Sequence, residues 1–276
     1  MRLYFPADPV VPIKIEHVML FLAYCSSKGL PYSTISSYIS VLHYVQKLSG
    51  FEDVSGNFVV KKMLQGLRKT TAKSDLRLPI THSILKSLIR SLEHLNFSYF
   101  LIVLMKARYL AAFYAFLRIG EVTRASTPVN NIQWQSAQFL LNDNQIPYAF
   151  ELNMERFKHN SWKTCHKLQV QQNCQQPEFC PVQALWHYCI SRGNFAGPLF
   201  CFLNGTPVSI SFFSQKLKLS LQFAGCNTAM YKTHSFRIGA PTHAASRGYS
   251  DQDIQIMGRW HPDAFKKYIR IPVLQI

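Results

Sequence analysis

Carboxylates are in short supply in this sequence, with 14 Asp and Glu against 30 Lys and Arg in 276 residues and a formal charge of +16. A chain with that imbalance is expected to meet a polyanion, nucleic acid first; general affinity for anionic surfaces is the competing reading of charge alone. The excess is not confined to one tail. Residues 1–78 carry a net +5 and residues 79–276 a net +11, so both parts have the charge to touch one ligand. Long apolar runs are missing too. The longest, around Phe100 to Leu117, is interrupted by Lys106 and Arg108 and is too polar to span a bilayer, and no secretory h-region stands at the start. The expectation is a soluble, intracellular protein without a membrane partner. The seven cysteines are odd in number and irregularly spaced, which, without an export signal, reads as reduced thiols. A zinc module built from His159, Cys165, His166, Cys174 and Cys180 lacks the close Cys-x-x-Cys pairs of such sites, so no metal is expected. Internal repeats and low-complexity tracts are also lacking.

What is present is a hydrophobic fraction of 48%, enough for a buried core. Apolar residues recur at helical spacing in Val18, Phe21, Leu22 and Cys25, in Ile35, Tyr38, Ile39, Leu42, Val45 and Leu48, and in Val59, Val60, Met63 and Leu64. Gly29-Leu30-Pro31 and Ser55-Gly56-Asn57 punctuate them. Residues 1–70 therefore read as a helical bundle. The polar, basic stretch that follows, with Lys73 and Arg77, reads as a linker over 71–79. From 80 to 276 a second domain is expected, with a helix capped by Thr81 and a long one from about Ser98 to Leu117. Alternation in Phe150, Leu152 and Met154 and in Leu168 and Val170 predicts a small antiparallel sheet within 131–172. Helices resume at Pro181 and continue through 209–224, 234–247, 251–257 and 263–270, with Ser250 and Asp253 as a capping pair. The fold class is mainly α (α+β).

Cutting DNA without a metal needs a nucleophile, cations on the non-bridging oxygens of the scissile phosphate and an acid for the departing oxygen. His234 and Arg237 in Thr-His-Ser-Phe-Arg lie three apart at a predicted helix start, on one face and beside an N-terminus that favours phosphate. Alone, such a pair is commonplace and is more often a solvated or capping pair. Arg118, in Arg-Ile-Gly-Glu, closes a long hydrophobic helix, an odd place for a guanidinium unless Glu121 or a ligand pairs with it. Tyr268 sits in Lys-Lys-Tyr-Ile-Arg, among cations that would attract a phosphodiester; an aromatic core residue is the plainer reading of that tyrosine alone.

Taken in order, F-L-R-I-G-E around Arg118, T-H-S-F-R-I-G around His234 and Arg237, M-G-R-W at 257–260 and K-K-Y-I-R around Tyr268 resemble the tyrosine recombinase, or phage integrase, family. The phrases L-P-I-T (78–81), F-K-H (157–159), C-P-V (180–182) and M-G-R-W are similar to recombinases of eukaryotic DIRS-type and Crypton-like mobile elements, which points to a nuclear protein. The resemblance covers nearly the whole chain. It implies a helical core-binding domain at the N-terminus and a mostly helical catalytic domain. Tyr268 would form a 3′-phosphotyrosyl link with no cofactor, Arg118 and Arg237 would hold the phosphate, and His234 would assist proton transfer. The family's hairpin lysine, the acid for the leaving oxygen, maps to Lys158, with Lys163 in reserve. One position departs: the family has His or Trp nine residues before the tyrosine, where this chain has Arg259, followed by Trp260. Arginine can donate to a phosphate but cannot transfer a proton at neutral pH.

Double-stranded DNA is the expected partner, held between two domains, with Lys61, Lys62, Arg68, Lys69, Lys73 and Lys163 as phosphate contacts. Ser33, Thr34, Ser36, Ser37 and Ser40 crowd one side of the second helix, a close-approach surface or simply a solvated face. Self-assembly into a dimer or tetramer on DNA is implied by the family. Only eight residues follow Tyr268, fewer than a full exchanged helix, so the form of assembly stays open. The rival readings are a mobile-element derivative that grips DNA without cutting it and a type IB topoisomerase-like enzyme, a family with much larger accessory regions.

Overall fold

The computed structural model of the chain describes residues 11–70, 76–124, 131–155, 157, 165–260 and 264–270. They fall into two compact units, Met1–Asp75 and Leu76–Ile276. The first holds three helices, α1 (Ile15–Ser27), α2 (Tyr32–Leu48) and α3 (Phe58–Thr70). The apolar spacing expected of them does close a core: Val18, Leu22 and Cys25 pack against Ile35, Ile39 and Val60. Buried Gln46 on α2 stitches the bundle, accepting from the Ile13 amide at 2.7 Å and donating to the carbonyl of Glu52 at 2.9 Å. On the far side of α2, Ser37 and Ser40 donate back to the carbonyls of Ser33 and Ser36, as solvated helical serines commonly do.

The second unit is built around α5 (Tyr99–Tyr114), of which all residues from Val103 to Phe113 except Lys106 are buried. Ser98 caps it by accepting from the Leu101 amide. α4 (His82–His94), capped by Thr81, packs on one side with α8 (Ile210–Phe223) and α9 (Ser235–Ser246). On the other side lie α7 (Pro181–Arg192), which has Pro181 at its first position, and the sheet. The sheet has three antiparallel strands in the order β1 (Ala137–Leu141), β2 (Pro147–Met154), β3 (His166–Gln171). Phe150, Leu152 and Met154 face inward, with Phe150 opposite Phe139 and Leu152 opposite Leu168. A four-residue α6 (Ile119–Val122) and α10 (Asp251–Gly258) complete the unit, the latter capped by Ser250 accepting from Asp253. The fold is mainly helical with one small antiparallel sheet, as the sequence patterns predict. No helix among the described residues is long and apolar enough to cross a membrane.

Two helices end differently from expectation. α5 stops at Tyr114, not at Leu117, because Phe116 takes a left-handed backbone (φ 51°) and the Leu117 amide turns back to the carbonyl of Ala112. The helix expected over 263–270 is, in its described part, one 3-10 turn, Ala264–Lys267. The carbonyl of Tyr268 would need the amide of residue 272 to continue a helix, and that residue is proline, which has none. Tight backbone contact positions α9: a Cβ on Gly239 would lie 1.9 Å from the carbonyl oxygen of Ile80.

Arg108 is the anomaly of the core. It is 0% exposed, its guanidinium lies 4.4 Å over the Phe213 ring, and its Nε and Nη2 have no hydrogen-bond partner among the described residues. Burial pulls its pKa down to about 9. A buried charge without a carboxylate costs stability that a shape-matched apolar side chain would not. Arg108→Met is expected to leave the unfolding free energy unchanged or raise it by about 1–2 kcal/mol, whereas Arg108→Ala, which opens a cavity, lowers it by roughly 2–5 kcal/mol; urea denaturation reads both.

Candidate active site

The left-handed turn at Phe116 is where the site begins. It frees the Phe116 carbonyl from the helix, and that oxygen accepts from Nη1 of Arg237 and, at 3.3 Å, from Nη2 of Arg259. Two residues on, Arg118 precedes α6, whose first turn brings Glu121 back over it: the Glu121 carboxylate accepts from the Arg118 amide at 2.8 Å and pairs with its Nη1 at 3.3 Å. The oxygen that accepts from the Arg118 amide, Oε2, also takes Nη2 of Arg259 at 2.8 Å. Glu121 is buried, as are Arg237 and Arg259, while Arg118 remains partly open to solvent.

Arg237 reaches this cluster from the third residue of α9, in its first turn. Its Nη2 donates to the Gly258 carbonyl, and its guanidinium lies 4.0 Å over the ring of Trp260. Arg259 arrives from the C-terminal cap of α10, also in a left-handed conformation (φ 53°, ψ 48°), and its own carbonyl accepts from Nη2 of Arg118 at 3.4 Å. Two guanidiniums thus share one carboxylate, and the third, Arg237, is held beside them by backbone carbonyls. Burial, then the charges of Arg118 and Arg259, hold the Arg237 pKa well below the ordinary arginine value, with Glu121 and the Tyr268 phenol opposing. Arg259 is lowered as well, mainly by burial. Its Nε and Nη1 are buried without a hydrogen-bond partner among the described residues. Among the described residues the cluster holds three guanidiniums and one carboxylate, so it carries a net positive charge that donors of this kind would direct to an anion's oxygens.

Tyr268 stands beside that cluster. Its ring stacks on Trp260 with centroids 5.4 Å apart and lies tilted against His234 at 5.3 Å. Trp260 is therefore a shared wall, with Arg237 and Tyr268 both against its ring. Glycine at 258 is what admits it: a Cβ there would fall 1.7 Å from a ring carbon of Trp260. Of the residues singled out from sequence, the fold gathers Arg118, His234, Arg237, Arg259, Trp260 and Tyr268 into one place. Lys158, Lys163 and Lys73 lie outside the described residues. Lys61, Lys62, Arg68 and Lys69 are exposed on α3, in the other unit.

Nothing in an apolar helix end announces a left-handed residue, so the Phe116 carbonyl is not marked in the sequence as an acceptor for two arginines. Nor is Thr242 marked there, whose hydroxyl lies 3.1 Å from the Tyr268 carbonyl oxygen. The role of Glu121 was legible in part, because the spacing Arg-x-x-Glu allows the carboxylate to return to the arginine.

Glu121 is expected to be the stability anchor of the cluster. Glu121→Gln removes the only carboxylate paired with these arginines among the described residues and should lower the unfolding free energy by about 3 kcal/mol. Added sulfate should recover more stability in the variant than in the wild-type chain, both read by thermal unfolding.

No family model and no curated protein matches the sequence. Solved structures do match the fold. XerH site-specific recombinase bound to a palindromic difH substrate, in a post-cleavage complex, aligns with a TM-score of 0.65 at 15% identity over 96% of this chain and 71% of that one. The Tn1549 transposon integrase in complex with circular intermediate DNA aligns at 0.58 and 13%, over 96% and 84%. A lambda integrase dimer on a COC′ core site aligns at 0.57 and 13%, over 95% and 81%. The fold of this chain is the fold of these integrases and recombinases.

Proposed function

We propose that the chain is a DNA strand transferase of the tyrosine recombinase type, cutting and rejoining double-stranded DNA through a 3′-phosphotyrosyl intermediate. The observation that carries the reading is the grouping of Arg118, Arg237 and Arg259 around a single carboxylate, with the Tyr268 phenol between His234 and Trp260 at its edge. The solved structures that share the fold are described as DNA complexes, which supports DNA as the substrate. The motifs at 78–81, 157–159, 180–182 and 257–260 support a mobile-element recombinase, acting in the nucleus and assembling as a dimer or tetramer on DNA.

In this mechanism the phenolic oxygen of Tyr268 attacks the scissile phosphorus while the bond from phosphorus to the 5′ oxygen breaks. The phenol proton leaves toward His234, and the 5′ oxygen takes a proton from Lys158, or from Lys163. Arg118 and Arg237 bind the non-bridging oxygens, and their charge counts most where the transition state gathers negative charge. Arg259 supplies a donor but no proton transfer. Rejoining is the reverse, with a 5′ hydroxyl attacking the phosphotyrosine. Lys61, Lys62, Arg68, Lys69 and Lys73 neutralise flanking phosphates.

A pool of nicked duplexes of random sequence tests the reading. The nick lets the short cleaved strand diffuse away, so the wild-type chain accumulates a denaturation-resistant adduct, and Tyr268→Phe gives none while binding DNA as tightly. An adduct at neither residue, with binding retained, makes the chain a DNA-binding protein that does not cut. The leaving-group acid is identified separately: a 5′-bridging sulfur needs no proton to depart. That substrate should restore the adduct to Lys158→Ala, and Lys163→Ala should need no rescue.

A further inference from the structure

The tyrosine backbone is held from behind by a side chain outside the phosphate cluster. Thr242 lies on α9 two turns beyond His234, and its hydroxyl is 3.1 Å from the carbonyl oxygen of Tyr268 and 2.8 Å from that of Ile238. The amide of Arg270 donates to the same hydroxyl oxygen at 3.1 Å. One oxygen therefore engages the chain on both sides of Ile269. A hydroxyl has one proton and two lone pairs, so it accepts from Arg270 while donating to one of the two carbonyls at a time.

The need for such a partner follows from the sequence. In a continuing helix the Tyr268 carbonyl would accept from residue 272, but Pro272 has no amide proton. The 3-10 turn ends at Lys267, and the Tyr268 amide is satisfied by the Phe265 carbonyl at 2.8 Å. Among the described residues of the turn, none supplies a backbone partner for the Tyr268 carbonyl. Thr242 takes that carbonyl and the Arg270 amide, on a helix whose start carries His234 and Arg237 and whose backbone is pressed against Ile80 through Gly239.

We infer that Thr242 is a positioning residue: its hydroxyl clasps the 268–270 backbone to α9 and so fixes the distance of the Tyr268 phenol from the arginine cluster. It touches no substrate and moves no proton. The inference rests on the proposed strand-transfer reading for its effect on rate, but the clasp itself is testable without catalysis.

Thr242→Val keeps the shape and removes the hydroxyl; Thr242→Ser keeps the hydroxyl. In the free protein, amide hydrogen exchange at Arg270 should accelerate at least about tenfold in Thr242→Val, the loss of one hydrogen bond, and stay near wild type in Thr242→Ser. On the nicked-duplex pool, Thr242→Val should form the adduct about 10 to 100 times more slowly, with DNA affinity and melting temperature unchanged, and Thr242→Ser should restore the rate. An Arg270 amide that exchanges equally fast in wild type and Thr242→Val overturns the clasp. Loss of protection with an unchanged adduct rate overturns the positioning role. If the wild-type chain forms no adduct although Arg270 is protected as expected, strand transfer is the reading that fails, and the clasp stands without a catalytic role.

Discussion

Everything at the candidate site hangs on the placement of one carboxylate among three guanidiniums. Glu121 is buried, and it holds Arg118 through a single helical turn and Arg259 across 138 residues of sequence. Desolvating even one arginine without compensation is expensive. Here the compensation is spread over Glu121, the carbonyls of Phe116, Gly258 and Arg259, and the face of Trp260. Carbonyl dipoles and a ring quadrupole soften the charges without cancelling them. What results is a buried cluster that carries more positive than negative charge.

That constraint explains where the backbone departs from regular structure. Phe116 and Arg259 are both non-glycine residues in the left-handed region, which costs about 1–2 kcal/mol each. Both departures serve the same end. At Phe116 a carbonyl that a straight helix would keep is turned toward Arg237 and Arg259. At Arg259 the cap conformation sends the side chain inward to Glu121 and the carbonyl outward to Arg118. Helix caps of this kind usually use glycine, so an arginine here is tolerated because its buried pairing outweighs the backbone cost.

The sequence disclosed the helices, most of their starts and the sheet, because periodicity, cap residues and alternation are local signals. Thr81, Ser98 and Ser250 cap as their identities suggest, and Phe150, Leu152 and Met154 face inward as their alternation suggests. The site was legible at residues whose chemistry is unusual for their setting: a guanidinium after a run of apolar residues at Arg118, and cations around Tyr268. It was illegible where a backbone atom does the holding. Neither the Phe116 carbonyl nor the Thr242 hydroxyl is marked by residue type, since the first depends on a φ angle and the second on a proline four residues beyond the carbonyl it serves.

The tripeptide Gly258-Arg259-Trp260 condenses these arguments. Glycine is required because the indole lies over its Cα; the indole is required as a wall common to Arg237 and Tyr268; the left-handed arginine between them is what folds the indole back over the glycine. A histidine or tryptophan at 259 could take the same backbone but could not form the ion pair with Glu121 as a permanent charge. With Arg259 in that place, the counter-charge of Glu121 is divided between two fixed cations. Arg237, bound to carbonyls and a ring, is then the least compensated guanidinium of the three.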